Sequence, residues 1–121
     1  MKMKKLAIVG SRDFKDYEVM KEFIALNLNL DEFDTIVSGG AQGADTLAEQ
    51  FADEKNKIKV IFKPDWSRYG DKASFLRNTD IIETADECVA FINNPASTGT
   101  RDSIKKAITK GMPLYVWEKG K

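Results

Sequence analysis

Short runs of apolar residues recur along the chain, and longer stretches that mix apolar and charged residues separate them. An uninterrupted apolar run of roughly four to eight residues is typical of a strand that is buried on both faces, as in a parallel sheet. We therefore predict five buried parallel strands, over residues 5–9, 35–37, 59–62, 88–92 and 113–117.

The stretches between these runs have the length and the periodicity of helices. They span residues 16–28, 44–55, 71–84 and 100–110. In three of them apolar residues recur three or four positions apart, which indicates one apolar face on each helix. These residues are Val19, Phe23 and Leu26, then Leu47 and Phe51, then Ile104 and Ile108.

Strands and helices alternate strictly from the first strand to the last. Such alternation is typical of a parallel sheet with right-handed crossovers and helices on both faces. We predict an α/β fold, a Rossmann-like three-layer sandwich with a five-stranded parallel sheet, as a single domain over residues 1–121. A chain of 121 residues, 42% of them hydrophobic, is long enough for one core of this kind.

This fold predicts where a ligand binds. In a doubly wound sheet, the ligand lies in the crevice at the carboxyl ends of the strands, where the strand order reverses. Four loops leave those ends, over residues 10–15, 38–43, 63–70 and 93–99. The third loop is long and irregular and contains Trp66. Either this loop is functional or Trp66 packs beneath it.

Charge and hydropathy disfavour several classes of partner. The chain has 19 basic and 19 acidic residues, so its net charge is zero. No overall positive field therefore attracts nucleic acid or an anionic membrane. No apolar run approaches the roughly 20 residues that a membrane span requires, and no secretion signal begins the chain. We expect a cytoplasmic protein without a membrane partner, and a nucleic-acid partner is disfavoured.

The chain contains no histidine and a single cysteine. Histidine is the commonest metal ligand and the commonest general base, so its absence disfavours zinc enzymes and histidine-based triads. Cys88 precedes Val89, Ala90 and Phe91, a setting that predicts a buried strand thiol rather than a nucleophile. We predict no metal site and no cofactor.

The second of the four loops is the strongest candidate for a phosphate site. The strand over 35–37 continues into Ser38-Gly39-Gly40-Ala41-Gln42-Gly43-Ala44-Asp45, a glycine-rich turn that opens a helix. Glycine lets a ligand approach the main chain, and the N–H groups at the start of a helix attract an anion. We predict that Ser38, Gly39, Gly40 and Gly43 bind the ligand. Asp45 either accepts a hydrogen bond from a ribose hydroxyl or caps the helix.

The loop after the first strand adds Gly10, Ser11 and Arg12 as candidate ligand-binding residues. A glycine at a strand end permits a tight turn, and an arginine can bind a phosphate through two hydrogen bonds. The segment lacks the three glycines of the dinucleotide fingerprint and the lysine of a Walker A loop. Neither a standard dehydrogenase nor a P-loop ATPase is therefore indicated.

The fourth loop opens the last helix toward the same crevice. Ser97 and Thr98 are candidate N-caps, and Gly99 with Thr100 begins the helix. We predict that these four residues bind the ligand and that Arg101 adds a positive charge to the crevice.

The third helix contributes polar and apolar candidates. Lys72, Arg77 and Asn78 either reach the crevice and bind the ligand or are exposed to solvent. Phe75, Ile81 and Ile82 belong either to a dimer face or to the core.

Taken in chain order, these motifs resemble those of a known group of proteins. They are Gly10-Ser11-Arg12-Asp13-Phe14, the turn from Ser38 to Asp45, Lys72 with Arg77-Asn78, and Ser97-Thr98-Gly99-Thr100. The chain resembles the SLOG superfamily of Rossmann-like nucleotide-binding proteins, and within it the single-domain branch related to YspA and YpsA. The resemblance implies a nucleotide-type ligand, such as an ADP-ribose derivative or a nucleoside phosphate, and a homodimer.

Two other branches of this superfamily have known activities, and the motif of one of them can be compared with this chain. DprA binds single-stranded DNA, and the LOG phosphoribohydrolases carry the signature Pro-Gly-Gly-x-Gly-Thr-x-x-Glu. Gly99 and Thr100 match the phosphate-binding part of that signature. Ala96 and Ser97 replace its glycine pair, and Ser103 stands at the position of its catalytic glutamate. The resemblance therefore implies that the binding part is kept and the catalytic part is not.

Three functions remain open on these grounds. The leading prediction is binding of a nucleotide or nucleotide-derived ligand. The first alternative is a nucleoside 5'-monophosphate phosphoribohydrolase in which an aspartate replaces the glutamate, because N-glycosidic cleavage needs a nearby carboxylate. The candidates are Asp13, Asp45 and Asp102, of which Asp102 is one residue, or about 100° of helix rotation, out of register. The second alternative is DprA-like binding of single-stranded nucleic acid over Arg12, Trp66, Tyr69 and Lys72.

Overall fold

The fold is built on a five-stranded parallel sheet. A computed structural model describes residues 2–121 of the chain. The strands are β1 (Lys4–Gly10), β2 (Phe33–Ser38), β3 (Ile58–Ile61), β4 (Glu87–Ile92) and β5 (Leu114–Glu118). Their order across the sheet is β3-β2-β1-β4-β5, and every neighbouring pair is parallel. The predicted sheet is confirmed, and the order reverses between β1 and β4, which opens a crevice at their carboxyl ends.

Helices cover both faces of this sheet. They are α1 (Tyr17–Asn27), α2 (Ala44–Glu54), α3 (Trp66–Tyr69), α4 (Ala73–Thr84) and α5 (Thr98–Lys110), and 3-10 turns lie at Leu30–Glu32 and Gly70–Lys72. Successive side chains of a strand point to opposite faces. Leu6 and Ile8 of β1 therefore pack with α1 and α2, whereas Ala7 and Val9 pack with α4 and α5. The Rossmann-like three-layer sandwich is confirmed.

The two edge strands are more exposed than we predicted. The three inner strands are almost wholly buried, but Ile58 of β3 is 60% exposed and Val116 of β5 is 40% exposed. An edge strand has a neighbour on one side only, so the helices cover it incompletely. The prediction of five buried strands is therefore wrong for β3 and β5.

On two helices one residue of the predicted apolar face lies at the surface, whereas Val19 and Phe23 on α1 and Ile104 on α5 pack against the core. Leu26 is 80% exposed and Ile108 is 65% exposed. On α1 the fully buried residues are Met20 and Ile24, and on α5 they include Ala107. A spacing of three or four residues fits two adjoining stripes of one helix, and small side chains on α5 let it lie close to the sheet.

The segment before α4 contains a helix that the sequence did not reveal. The sequence predicts an irregular loop over residues 63–70, but α3 occupies Trp66–Tyr69. Its single turn is too short to show a helical period. Trp66 is 51% exposed, so it does not pack beneath the loop. No helix within residues 2–121 combines the length and the apolar character that a membrane span requires.

The apolar residues of α4 divide between the interior and the surface. Ile81 and Ile82 are buried in the core, so they do not form a dimer face. Phe75, one helical turn or more before them, is 43% exposed.

Candidate functional site

A cavity of about 510 Å³ opens at the carboxyl ends of β1 and β4. Its walls come from the β1–α1 loop, the starts of α2 and α5, and α4. Ten of the predicted ligand-binding residues line it: Gly10, Ser11, Arg12, Asp45, Arg77, Asn78, Ser97, Thr98, Gly99 and Thr100. The other five lie outside the lining: Ser38, Gly39, Gly40, Gly43 and Lys72.

The start of α5 faces the open space of this cavity. Ser97 occupies the N-cap position, but its side chain accepts no hydrogen bond from the backbone of the helix. Its hydroxyl group instead pairs with that of Thr100 at 3.0 Å. A Cβ atom added at Gly99 would meet no heavy atom within 4 Å. The first N–H groups of a helix lack intrahelical partners, so α5 presents donors and the positive end of its dipole to open space.

The start of α2 is occupied by the chain itself. The N–H group of Ala44 donates to the carbonyl oxygen of Ser11 at 3.2 Å. Gly43 has φ +74°, and a Cβ atom there would overlap the backbone carbonyls of Ser11 and Arg12. The N–H group of Ala41 donates to the Asp45 carboxylate at 3.2 Å. The glycine-rich turn therefore packs against the β1–α1 loop, and its glycines make room for protein atoms.

Arg77 and Asn78 connect the two helix starts. The guanidinium group of Arg77 donates to the carbonyl oxygen of Gly39 and, through Nε, to Oδ1 of Asn78 at 3.0 Å. Asn78 is buried, and its Nδ2 donates to the carbonyl oxygen of Gly99 at 3.2 Å and to Asp102 at 3.1 Å. A Cβ atom at Gly39 would overlap the Arg77 guanidinium. These side chains are therefore structural parts of the cavity wall and not solvated surface groups.

Burial shifts the titration of two groups in this wall. It raises the pKa of the Asp45 carboxyl, while the Ala41 N–H group and the charge of Arg77 act in the opposite direction. Burial also lowers the pKa of Arg77, the charge of Asp45 opposes this effect, and the charge of Arg12 adds to it. An arginine remains protonated at neutral pH despite such a shift. Arg77 therefore brings a partly desolvated positive charge to the cavity.

Two of the three arginines that are candidates for the crevice line the cavity. Arg12 and Arg77 line it. The Nε of Arg101 donates to the carbonyl oxygen of Pro95 at 2.7 Å, and Arg101 is not part of the lining. The expectation that Arg101 adds charge to the crevice is wrong, because its side chain folds back on the β4–α5 loop. Lys72 is exposed in the 3-10 turn before α4.

The three candidate catalytic aspartates have different positions. Asp13 is exposed and Asp45 is buried, and both line the cavity. Asp102 instead pairs with Lys106 and lies in a separate groove between α4 and α5. Ser103, the next residue, lines the cavity. The single-residue displacement in the sequence thus turns the Asp102 carboxylate away from the cavity.

Gly10 and Ser11 hold the loops of the site together. A Cβ atom at Gly10 would lie 2.6 Å from both the Ala44 side chain and the Phe91 carbonyl oxygen, so glycine permits the close approach of β1, α2 and β4. Ser11 is buried, and its hydroxyl oxygen accepts a hydrogen bond from the Asn93 N–H group at 3.0 Å. The β1–α1 loop is therefore fixed to the β4–α5 loop.

Several residues of the lining were not among the predicted site residues. They include Ala41, Ser74, Phe75, Asn94 and Ser103. The sequence offered one signal for Phe75, which is three residues before Asn78 and therefore shares its helix face. Ser74 offers the same signal, since it lies three residues before Arg77 and four before Asn78, whereas no such spacing identified Asn94.

Comparisons with known proteins agree with the fold and the motifs. The sequence profile described as the YspA, cpYpsA-related SLOG family matches residues 4–69, which is more than half of the chain and includes the glycine-rich turn. The chain is also similar to the Gene 61 protein of Mycobacterium phage D29, with 33% identity over 119 residues that cover 93% of this chain and 94% of that protein. The phage protein's name states no activity. Membership of the family suggests a role in binding or modifying a nucleotide-related ligand. The chain belongs to the YspA, cpYpsA-related SLOG family.

Proposed function

We propose that this protein binds a nucleotide or a nucleotide-derived ligand in the cavity, with a phosphate group at the start of α5. The observation that carries the proposal is the open space in front of Gly99, at a helix start whose N-cap side chain makes no capping bond. Backbone N–H groups and the helix dipole at such a position favour an anion. Gly99 and Thr100 are two of the residues predicted to bind phosphate, and unlike the glycines of the turn before α2 they line the cavity.

The charges around the cavity support an anionic ligand. Arg12 and Arg77 line it together with the start of α5. Arginine binds phosphate oxygens through paired hydrogen bonds, and the interaction strengthens where water is partly excluded. A phosphate beside Arg77 would also restore the favourable charge interactions that the burial of this guanidinium removes.

The size of the cavity also suits such a ligand. Its volume of about 510 Å³ falls within the usual range for small-molecule sites, roughly 300–1,000 Å³. Polar groups from Ser97, Thr98 and Asn94 lie beside the apolar side chains of Val9 and Phe75. This combination fits a molecule with a phosphate, a ribose and a flat base.

Thermal unfolding in the presence of candidate ligands tests the proposal. Adenosine monophosphate, ADP-ribose, a cyclic nucleotide and ribose 5-phosphate form the panel, and adenosine is the control that lacks a phosphate. Because a ligand that binds only the folded state stabilises it, we expect the melting temperature to rise with a phosphorylated compound and not with adenosine. A panel without any shift would contradict the proposal.

A matched pair of variants locates the binding. Arg12 and Arg68 are both exposed, but only Arg12 lines the cavity. We expect Arg12→Ala to weaken phosphate-dependent binding by about tenfold, since a hydrogen bond to a charged group contributes about 1.5–3 kcal/mol. Arg68→Ala should bind as the wild-type protein does. Equal losses in the two variants would place the ligand elsewhere.

A second candidate function is cleavage of the N-glycosidic bond of a nucleoside monophosphate. The observation that favours it is the presence of two carboxyl groups, those of Asp13 and Asp45, in the cavity lining. A carboxylate near the sugar stabilises the oxocarbenium-like transition state of such a reaction. Incubation with nucleoside monophosphates and an assay for free base distinguish this function from binding alone.

A further inference from the structure

We propose that Phe75 forms the surface on which the base of the ligand stacks, so that the site recognises a base and not only a sugar phosphate. This inference rests on the proposed function. Phe75 lines the same cavity as Arg77 and Gly99, and 43% of the residue is exposed. A large aromatic side chain at the edge of a polar cavity offers a flat apolar face that solvent would otherwise cover.

Phe75 shares a face of α4 with Asn78, which contacts the start of α5. Phe75 and Asn78 are three residues apart on one face of the helix, which is about 4.5 Å along its axis. Asn78 donates to the carbonyl oxygen of Gly99, at the start of α5. Phe75 on α4 and the proposed phosphate position at the start of α5 therefore lie at two separate parts of one cavity. A nucleoside 5'-phosphate places a ribose between its phosphate and its base, so it can contact both parts.

The ring of Phe75 has a positively charged neighbour. The ammonium group of Lys106 lies over it, 5.9 Å from the ring centroid. Lys106 is itself paired with Asp102, which also accepts a hydrogen bond from Asn78. One network of contacts thus links the ring, Asn78 and the start of α5.

Other aromatic residues do not offer the same surface. Trp66 and Tyr69 of α3 are also about half exposed, but neither lines the cavity. Phe14, Phe33, Phe51 and Phe91 are fully buried in the core. Phe75 is therefore the one aromatic residue of the cavity lining within residues 2–121.

Isothermal titration of adenosine monophosphate and ribose 5-phosphate into wild-type protein and variants tests the inference. We expect Phe75→Ala to weaken binding of adenosine monophosphate by about tenfold, because base–aromatic stacking contributes that order of affinity. Binding of ribose 5-phosphate should change by less than about twofold. Phe75→Tyr should retain the affinity for adenosine monophosphate, since it keeps the aromatic face.

Leu76→Ala provides the matched control. Leu76 is the next residue on α4 and is also 43% exposed, but it does not line the cavity. This variant should bind both compounds as the wild-type protein does. Three outcomes would overturn the inference and leave the proposed function standing. Wild-type protein could bind both compounds equally, Phe75→Ala could leave the affinity for adenosine monophosphate unchanged, or Phe75→Ala could weaken the binding of both compounds equally. If wild-type protein binds neither compound, the inference fails, and the proposed function fails with it only if ADP-ribose and the cyclic nucleotide also leave the melting temperature unchanged.

Discussion

Helices α2 and α5 both begin beside a glycine at the carboxyl end of a strand, yet the two helix starts have different neighbours. At α2, Gly43 contacts the backbone of the β1–α1 loop, and the carboxylate of Asp45 accepts the Ala41 N–H group. At α5, a Cβ atom added at Gly99 would meet no heavy atom within 4 Å apart from its chain neighbours and the helix backbone. The first start is filled by the chain, and the second is open to a ligand.

The difference shows that a glycine at a helix start does not by itself indicate what lies beside it. Protein atoms lie beside Gly43, whereas open space lies beside Gly99. The turn before α2 has three glycines and is the more conspicuous in the sequence. Its glycines accommodate protein contacts between loops that are distant in the chain. The start of α5 has a single glycine, which no contact within the described protein requires. Three variants test this contrast.

The largest effect should come from Gly43→Ala. Alanine at φ +74° is strained, and its Cβ would also overlap the carbonyls of Ser11 and Arg12. We expect a loss of about 3 kcal/mol in the free energy of unfolding, measured by chemical denaturation.

Gly70→Ala is the control for this variant. Gly70 also has a positive φ, +55°, but a Cβ atom there would meet nothing within 4 Å. This variant should lose only about 1–2 kcal/mol, which is the cost of the backbone strain alone. If both variants lost the same free energy of unfolding, the contact between the glycine-rich turn and the β1–α1 loop would not be the reason that position 43 requires glycine.

A smaller effect is expected from Asn78→Ala. The change removes the hydrogen bonds from Asn78 to Gly99 and Asp102 and leaves the Nε of Arg77 without its acceptor. We expect a loss of about 2 kcal/mol in the free energy of unfolding, since buried polar groups lose their partners. Asp80→Ala, at an exposed position of the same helix, is the control and should change stability little. A negligible loss in Asn78→Ala would show that α4 does not hold the start of α5.

The smallest effect on stability should come from Gly99→Ala, and its sign should be opposite. The added methyl group enters open space at a helical position, where alanine is favoured over glycine. We expect the ligand-free protein to gain about 0.5 kcal/mol and to bind adenosine monophosphate more weakly. Denaturation and calorimetry measure the two quantities. Unchanged binding would mean that no ligand approaches the main chain at Gly99.

Much of the fold could be predicted because it depends on local patterns. The inner strands are continuous apolar runs, and the alternation of strands and helices determines the class of sheet. The exposed positions of Leu26 and Ile108 could not be predicted, because a short helix has two adjoining apolar stripes and only packing selects between them. The single turn of α3 is shorter than the period that would reveal it.

The candidate site was predicted in part. Ten of the fifteen proposed ligand-binding residues line the cavity, because the carboxyl ends of parallel strands bring their loops together. Arg77 and Asn78 belong to it through bonds to residues 38 and 21 positions away. Arg101, by contrast, bonds to its own loop. No pattern of neighbouring residues distinguishes these cases.

By itself, the sequence determined the five strands and the four longer helices, the edge of the sheet where the loops meet, and the register that separates Asp102 from Ser103. The strands follow from continuous apolar runs, and the helices and the register follow from the 3.6-residue period. The edge follows from the alternation of strands and helices. Only the tertiary structure decided which helix start is open. Gly43 and Arg12 are distant in the chain, and whether a glycine faces protein or empty space depends on what folding brings against it.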